Sequence, residues 1–186
     1  AVLNMLNTRY LIVPGQNRNP TVQQNPGALG NSWFVQSYKL VDNADEEIAA
    51  LVEFDPSQVA IIDKRYANYL NEISPDTNRT GTKTQQEYKP NRLVYTSQYS
   101  SNGIAVFSEI FYQPGWNAYM DGELVDHFRV NYVLRGMVVP AGEHQIEFRF
   151  EPELFIIGER IAFASSSLLI LLFLGVMIRE IRSKVQ

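Results

Sequence analysis

The spacing of apolar positions changes along this 186-residue chain, and the changes divide it into segments. Tyr10-Leu11-Ile12-Val13 is a short apolar run closed by Pro14-Gly15, which predicts a strand, and a polar loop is expected through Asn17, Asn19, Asn25, Pro26 and Gly27. Trp33-Phe34-Val35 and Tyr38-Lys39-Leu40-Val41 predict two more strands. Asn43 is placed to cap a short helix, with Glu46 three residues on as its reciprocal partner and Ile48, Leu51 and Val52 as the apolar stripe, ending near Asp55-Pro56. Val59-Ala60-Ile61-Ile62 predicts a buried strand, so residues 1–73 read as a small α+β part. Residues 74–90 are polar and rich in Thr, Asn and Gln, the composition of a connection or linker.

From 91 to 153 the pattern turns strongly β. Leu93 to Tyr99 and Ile104 to Phe111 flank Ser100-Ser101-Asn102-Gly103, where Asn-Gly predicts a hairpin turn. A second hairpin is expected at Asp121-Gly122, between Trp116–Met120 and Glu123–Val125. A third is expected through Pro140-Ala141-Gly142-Glu143, joining Tyr132–Val139 to His144–Phe150. In the last strand Ile146, Phe148 and Phe150 alternate with Gln145, Glu147, Arg149 and Glu151, which predicts one buried and one wet face. Strands at this spacing imply an antiparallel β-sandwich or jelly-roll-like part, and the fold class is mixed: small α+β, then β-sandwich, then one C-terminal helix.

That helix follows from the longest apolar run. Ile161 to Ile178 holds eighteen residues without a charge, about 27 Å of helix, and Phe155-Ile156-Ile157-Gly158 extends the transmembrane segment to 155–178 with Glu159 and Arg160 at the interface. The competing assignment is a buried core helix, and Ser165-Ser166-Ser167 lowers the hydropathy. Arg179, Arg182 and Lys184 make residues 179–186 a cationic tail of the kind retained in the cytoplasm, which puts the body outside, on the extracytoplasmic side of the membrane. A tail-anchored protein with a cytosolic body is the alternative topology. A translocated body needs an upstream signal or helix, and Val2-Leu3-Asn4-Met5-Leu6-Asn7-Thr8-Arg9 after Ala1 has no signal-peptide character, so a longer parent protein with a further N-terminal portion is expected.

Composition narrows the chemistry. The formal net charge is −4 even with the cationic tail included, so the body is acidic and nucleic acid is not an expected partner. Without Cys there is no thiol nucleophile, disulfide framework or thiolate zinc site. His127 and His144 lie on different predicted strands, so no metal site and no cofactor are expected in this chain, and Glu46 with Glu47 reads as a solvent-facing pair at a helix start. The segment Tyr112-Gln113-Pro114-Gly115-Trp116-Asn117-Ala118-Tyr119-Met120-Asp121-Gly122 sets aromatic rings beside amides and a carboxylate. Trp116, Tyr119 and Asp121 are therefore glycan-contact candidates, unless the rings pack the sandwich core and Asp121 serves the turn. Asn131 and Arg135 are further candidates, with pairing to Glu109 as the structural alternative.

Leu6-Asn7-Thr8-Arg9-Tyr10-Leu11-Ile12, Asn25 through Val35 (NPGALGNSWFV), Phe107 through Trp116 (FSEIFYQPGW), Asn131 through Arg135 (NYVLR) and Pro140 through Pro152 (PAGEHQIEFRFEP), in this order before an apolar helix, resemble the C-terminal region of bacterial YfhO-like membrane proteins, particularly Bacteroidetes forms. The resemblance implies a large polytopic glycosyltransferase of the GT-C type, using a polyprenyl-phosphate sugar on a cell-envelope acceptor. It also implies that catalysis resides in a carboxylate of an early extracytoplasmic loop outside these residues. The chain would then be an accessory module, non-catalytic alone, in contact with membrane lipid, the upstream membrane part and an envelope glycan or polyprenyl-phosphate sugar. A non-enzymatic, membrane-anchored glycan-binding or structural module is the alternative.

Overall fold

The computed structural model describes residues 1–15, 19–71, 73 and 81–185, in two compact units, Ala1–Phe150 and Glu151–Gln186. The first is mostly antiparallel β with small α/β additions; the second is a long apolar helix.

The N-terminal unit begins with a single turn, α1 (Val2–Met5), which buries Met5. β1 (Tyr10–Pro14) follows as expected, but the segment expected as loop contains β2 (Pro20–Gln24), antiparallel to β1 with Ile12 opposite Val22; Asn17 lies outside the described residues. Asn25 organises the turn after this ribbon, its amide donating to Thr8 O (2.9 Å) and Asn4 Oδ1 (3.0 Å).

β3 (Ser32–Val35), β4 (Ser37–Val41), α2 (Ala44–Ala50) and β5 (Val59–Asp63) match the sequence expectation in kind and place. β4 and β5 pair in parallel, and α2 lies in the crossover that such a pair needs. The cap also forms: Glu46 N donates to Asn43 Oδ1 (3.0 Å), while the Glu46 carboxylate takes Asp42 N (3.0 Å). The expected apolar stripe is corrected. Ile48 and Val52 are exposed, and the helix buries Leu51 and, completely, Glu47. A 3₁₀ helix (Lys64–Leu70), capped by Asp63 accepting from Arg65 N, brings Tyr66 and Tyr69 against Phe128.

Of the segment read as a linker, residues 74–80 lie outside the described residues, and 81–89 form a strand, β6 (Gly81–Lys89). The remaining strands are β7 (Arg92–Tyr99), β8 (Gly103–Ile110), β9 (Trp116–Met120), β10 (Glu123–Val125), β11 (Phe128–Val130), β12 (Leu134–Val139) and β13 (Gly142–Phe150). They form a five-stranded sheet in the order β10-β9-β13-β7-β6 and a four-stranded sheet in the order β11-β12-β8-β3.

One expected hairpin forms and two do not. Asp121 (φ 53) and Gly122 (φ 89) make a two-residue turn between β9 and β10, the left-handed pair that Asp-Gly favours. By contrast β7 and β8 lie in different sheets, as do β12 and β13, so both connections cross the sandwich. The reason is burial. Strands that each carry a strongly apolar face gain more by facing one another across a core than by lying side by side, and Tyr95 and Phe107 meet edge-to-face at 4.9 Å. Gly103 is not at positive φ; it is small because a Cβ there would stand 2.4 Å from the Tyr99 ring. Val130 and Leu134 instead close a hairpin not anticipated from sequence, with Asn131 (φ 49) and Tyr132 (φ 70) in the left-handed region.

Two cores result. Leu93, Tyr95, Ala105, Phe107, Ala118, Met137, Ile146 and Phe148 fill the space between the sheets. Val35, Ile61, Ile62, Ile104, Val106, Phe128, Val130 and Leu134 fill the space between the four-stranded sheet and the β4-α2-β5 unit. The four-stranded sheet is thus covered on both faces, which is why Gly103–Phe107 is buried at every residue. The five-stranded sheet has one apolar and one polar face.

In the second unit, α3 (Glu153–Val185) runs 33 residues, about 50 Å. It is long and apolar enough to cross a membrane, and its side chains from Leu154 to Ile178 are exposed and apolar nearly all round, the pattern of a helix that meets lipid. Ser165 returns its hydroxyl to Ile161 O (2.9 Å) and Ala162 O (3.0 Å), which removes its polarity from the surface.

Candidate functional site

The five candidate residues do not form one site. Along β9 the side chains alternate, so Trp116, Ala118 and Met120 point between the sheets while Asn117 and Tyr119 point outward. Trp116 and Tyr119 are three residues apart and therefore on opposite faces of the strand. Each is half-buried and each is covered by a guanidinium: Arg135 stands 4.2 Å from the Trp116 ring, and Arg149 stands 4.3 Å from the Tyr119 ring.

Arg135 is buried among aromatic rings on β12, also 5.2 Å from Phe148. Its Nε donates to Ile110 O (3.0 Å), and its Nη1 is buried without a partner. The pairing with Glu109 is not made as an ion pair; Glu109 acts through its charge, and burial raises its pKa above the usual carboxylate value. His127 lies in the same region, its ring 5.4 Å from Phe111 and 5.6 Å from Phe148. Burial, aided by the Arg135 charge, pushes its pKa down to about 4, so it is neutral at pH 7.

Asn131 is fully buried and acts as a backbone mimic: its Oδ1 accepts from Ile61 N (2.8 Å) and its own N donates to Ile61 O (2.8 Å), fastening the β11–β12 turn to β5. Asp121 is exposed, but both carboxylate oxygens are engaged, with His144 Nδ1 (2.7 Å) and Gln145 N (2.8 Å), and these contacts hold its pKa below the usual range. It ties the β9–β10 turn to β13.

Two charged clusters were not anticipated. Glu47, expected in solvent, is fully buried; its Oε2 accepts from Arg129 Nη2 (2.7 Å) and its Oε1 from Tyr132 N (2.8 Å). Glu147, expected on a wet face, is only 6% exposed because Arg149 and Arg92 close over it, and these two guanidiniums pull its pKa down to about 2. The spacing of Glu47, Ala50 and Leu51 (i, i+3, i+4) was the available sign of the first cluster, since it puts the carboxylate on the stripe that Leu51 buries.

The fold therefore defines a β-rich body followed by a helix of membrane-spanning length, the class of a membrane-anchored protein. A family model described as bacterial membrane protein YfhO matches residues 57–162, from just before β5 into α3 and over more than half of the chain, and the chain belongs to this family. Comparisons with curated proteins and with solved structures find no match.

Proposed function

We propose that the chain is the extracytoplasmic C-terminal module, with the final membrane helix, of a YfhO-family glycosyltransferase that draws on a polyprenyl-phosphate sugar to modify a cell-envelope glycan. In this reading the module supports the membrane-embedded part and contacts the acceptor, while transfer takes place in the upstream portion of the parent protein. The observation that carries it is the family match, which extends from the body into the apolar helix. The cationic residues Arg179, Arg182 and Lys184 beyond the apolar stretch support a cytoplasmic C-terminus and hence an outside body.

The contacts that Trp116, Asp121, Asn131 and Arg135 make within the fold favour seeking glycan contact on the face that carries Tyr119. The experiment has two arms. Reporter fusions at the C-terminus should be active only in the cytoplasm, and activity outside the cell refutes the orientation. The parent protein should release labelled sugar from a polyprenyl-phosphate donor in detergent while this chain alone should not; turnover by the chain that is lost on mutating one of its own carboxylates refutes the accessory role.

A further inference from the structure

The outer face of the five-stranded sheet has two halves of different chemistry, set by the register. At one end Glu87, Glu147 and Tyr119 lie abreast, with Lys89, Arg92, Arg149 and Asn117 on the next rung. This end is an ionic lattice: Arg92 joins Glu87 to Glu147, Lys89 closes on Glu87, and Arg149 lies between Glu147 and the Tyr119 ring. Toward the other end the rungs are mostly uncharged, with Glu143 as their one carboxylate. Thr84, Thr96 and Gln145 form one rung and Thr82, Gln98 and Glu143 the next.

Between these two rungs lies a hollow of about 110 Å³, lined by Thr82, Thr84, Thr96, Ser97, Gln98 and Glu143. Its space equals that of several water molecules, and it opens to solvent along the sheet face. The Thr96 hydroxyl is held in place, accepting from Gln86 Nε2 (3.2 Å) and donating to Thr84 O (3.4 Å). The amide of Gln98 both donates and accepts, and Glu143, in no ion pair among the described residues, presents two acceptor oxygens suited to neighbouring hydroxyls.

The composition selects the occupant. No apolar side chain stands on these two rungs, so neither a lipid surface nor an apolar helix finds a counterpart. A polyanion would meet Glu143 with no cation among the described residues that line the hollow, and a protein partner would lack the aromatic or arginine anchors that stable interfaces use. A neutral polyhydroxylated chain matches every group present. Strands about 4.8 Å apart then offer one hydroxyl, amide or carboxylate per strand to a chain laid across them.

We propose that this half of the outer face is a binding platform for a neutral glycan, centred on the hollow between Thr84, Thr96, Gln98 and Glu143. The platform rests on the extracytoplasmic reading given above, yet its test does not depend on orientation in a cell. The full chain, methyl-labelled at Thr and held in a sugar-free detergent, is titrated with two neutral oligosaccharides, cellohexaose and maltohexaose, and followed by NMR. Shifts at Thr82, Thr84 and Thr96 are expected with at least one of them, with millimolar affinity. Gln98→Ala and Glu143→Ala should each weaken binding by roughly three- to tenfold, as loss of one hydrogen-bonding partner does, with the thermal midpoint unchanged. Absence of shifts at about 10 mM of both sugars, shifts indifferent to both substitutions, or tighter binding of an anionic oligosaccharide overturns the proposal. The topology reading would then stand or fall on the reporter fusions alone.

Discussion

Replacing Glu47 tests whether a buried ion pair fastens the α/β unit to the sandwich. Its carboxylate is fully enclosed and receives two donors, Arg129 Nη2 and the backbone N–H of Tyr132. Tyr132 sits at φ 70 immediately after Asn131 at φ 49, so one carboxylate helps hold two residues in a backbone region that side chains disfavour. Glu47→Ala leaves a guanidinium without its main partner, a buried N–H without an acceptor, and a void. Breaking a buried pair costs about 3–5 kcal/mol. Arg129 is 21% exposed and retains Asp63 at 4.0 Å, so the lower end, about 3 kcal/mol, is expected.

Glu47→Gln keeps the shape and the bond to Tyr132 N but loses the charge, for about 1–2 kcal/mol. Replacing both charged partners by apolar residues, Glu47→Leu with Arg129→Met, should cost less than the sum of the two single changes, because no charge is then left buried alone. The assay is urea unfolding of the full chain in detergent, read from fluorescence of Trp33, which packs on the adjacent core and donates Nε1–H to Pro56 O. A cost below about 1 kcal/mol for Glu47→Ala, or strict additivity of the double change, refutes the argument.

Three further outcomes follow from the same geometry. His127, with a pKa of about 4 against an ordinary 6.5, is held neutral in the fold, so the unfolded chain takes up its proton first. Stability should be complete above about pH 6.5 and fall by up to about 3 kcal/mol as pH drops toward 4, a slope that His127→Gln flattens in urea melts at each pH. Glu147, at about 2, continues the loss: its contribution is present above the ordinary carboxylate pKa and disappears as pH falls from about 4.5 toward 2, by about 1–2 kcal/mol because its arginine partners are half in solvent. Trp116→Ala should cost about 2–3 kcal/mol in thermal melts, since the ring contacts Arg135, Phe150 and the inter-sheet core, whereas Tyr119→Ala on the outer face should cost about 1 kcal/mol or less; equal costs would mean that the two rings share one environment.

Most strands were legible in the sequence, and most of their partners were not. Tyr10–Val13, Trp33–Val35, Val59–Ile62 and the β9–β10 hairpin stand where apolar runs and turn residues put them. Runs and turns are local signals, and they report that a strand exists without reporting which face of which sheet it will cover. Asn102-Gly103 carries hairpin chemistry, yet the chain there crosses between sheets, because Ala105 and Phe107 are buried opposite Leu93 and Tyr95 only in that arrangement. The segment at 81–89 was missed for the complementary reason. Its Thr and Gln side chains carry no apolar alternation, and its pairing with β7 is supplied by backbone hydrogen bonds at a sheet edge.

The candidate residues are dispersed by a periodicity that the sequence did contain. Trp116 and Tyr119 differ by an odd number of positions, so any strand through them must separate them; only a turn or helix would have brought the rings together. Once β9 is a strand, the aromatic cluster divides into an inward ring that packs against Arg135 and an outward ring that packs against Arg149. The same parity applied to β13 puts Glu143, Gln145, Glu147 and Arg149 on one face, and the register then carries that face across β7 and β6 to Gln98, Thr96, Thr84 and Thr82. A polar surface assembled from three strands distant in sequence has no signature in any single segment. Each piece reads as ordinary solvent-facing residues, and they line one hollow only when the pairing of β6, β7 and β13 sets the pieces side by side.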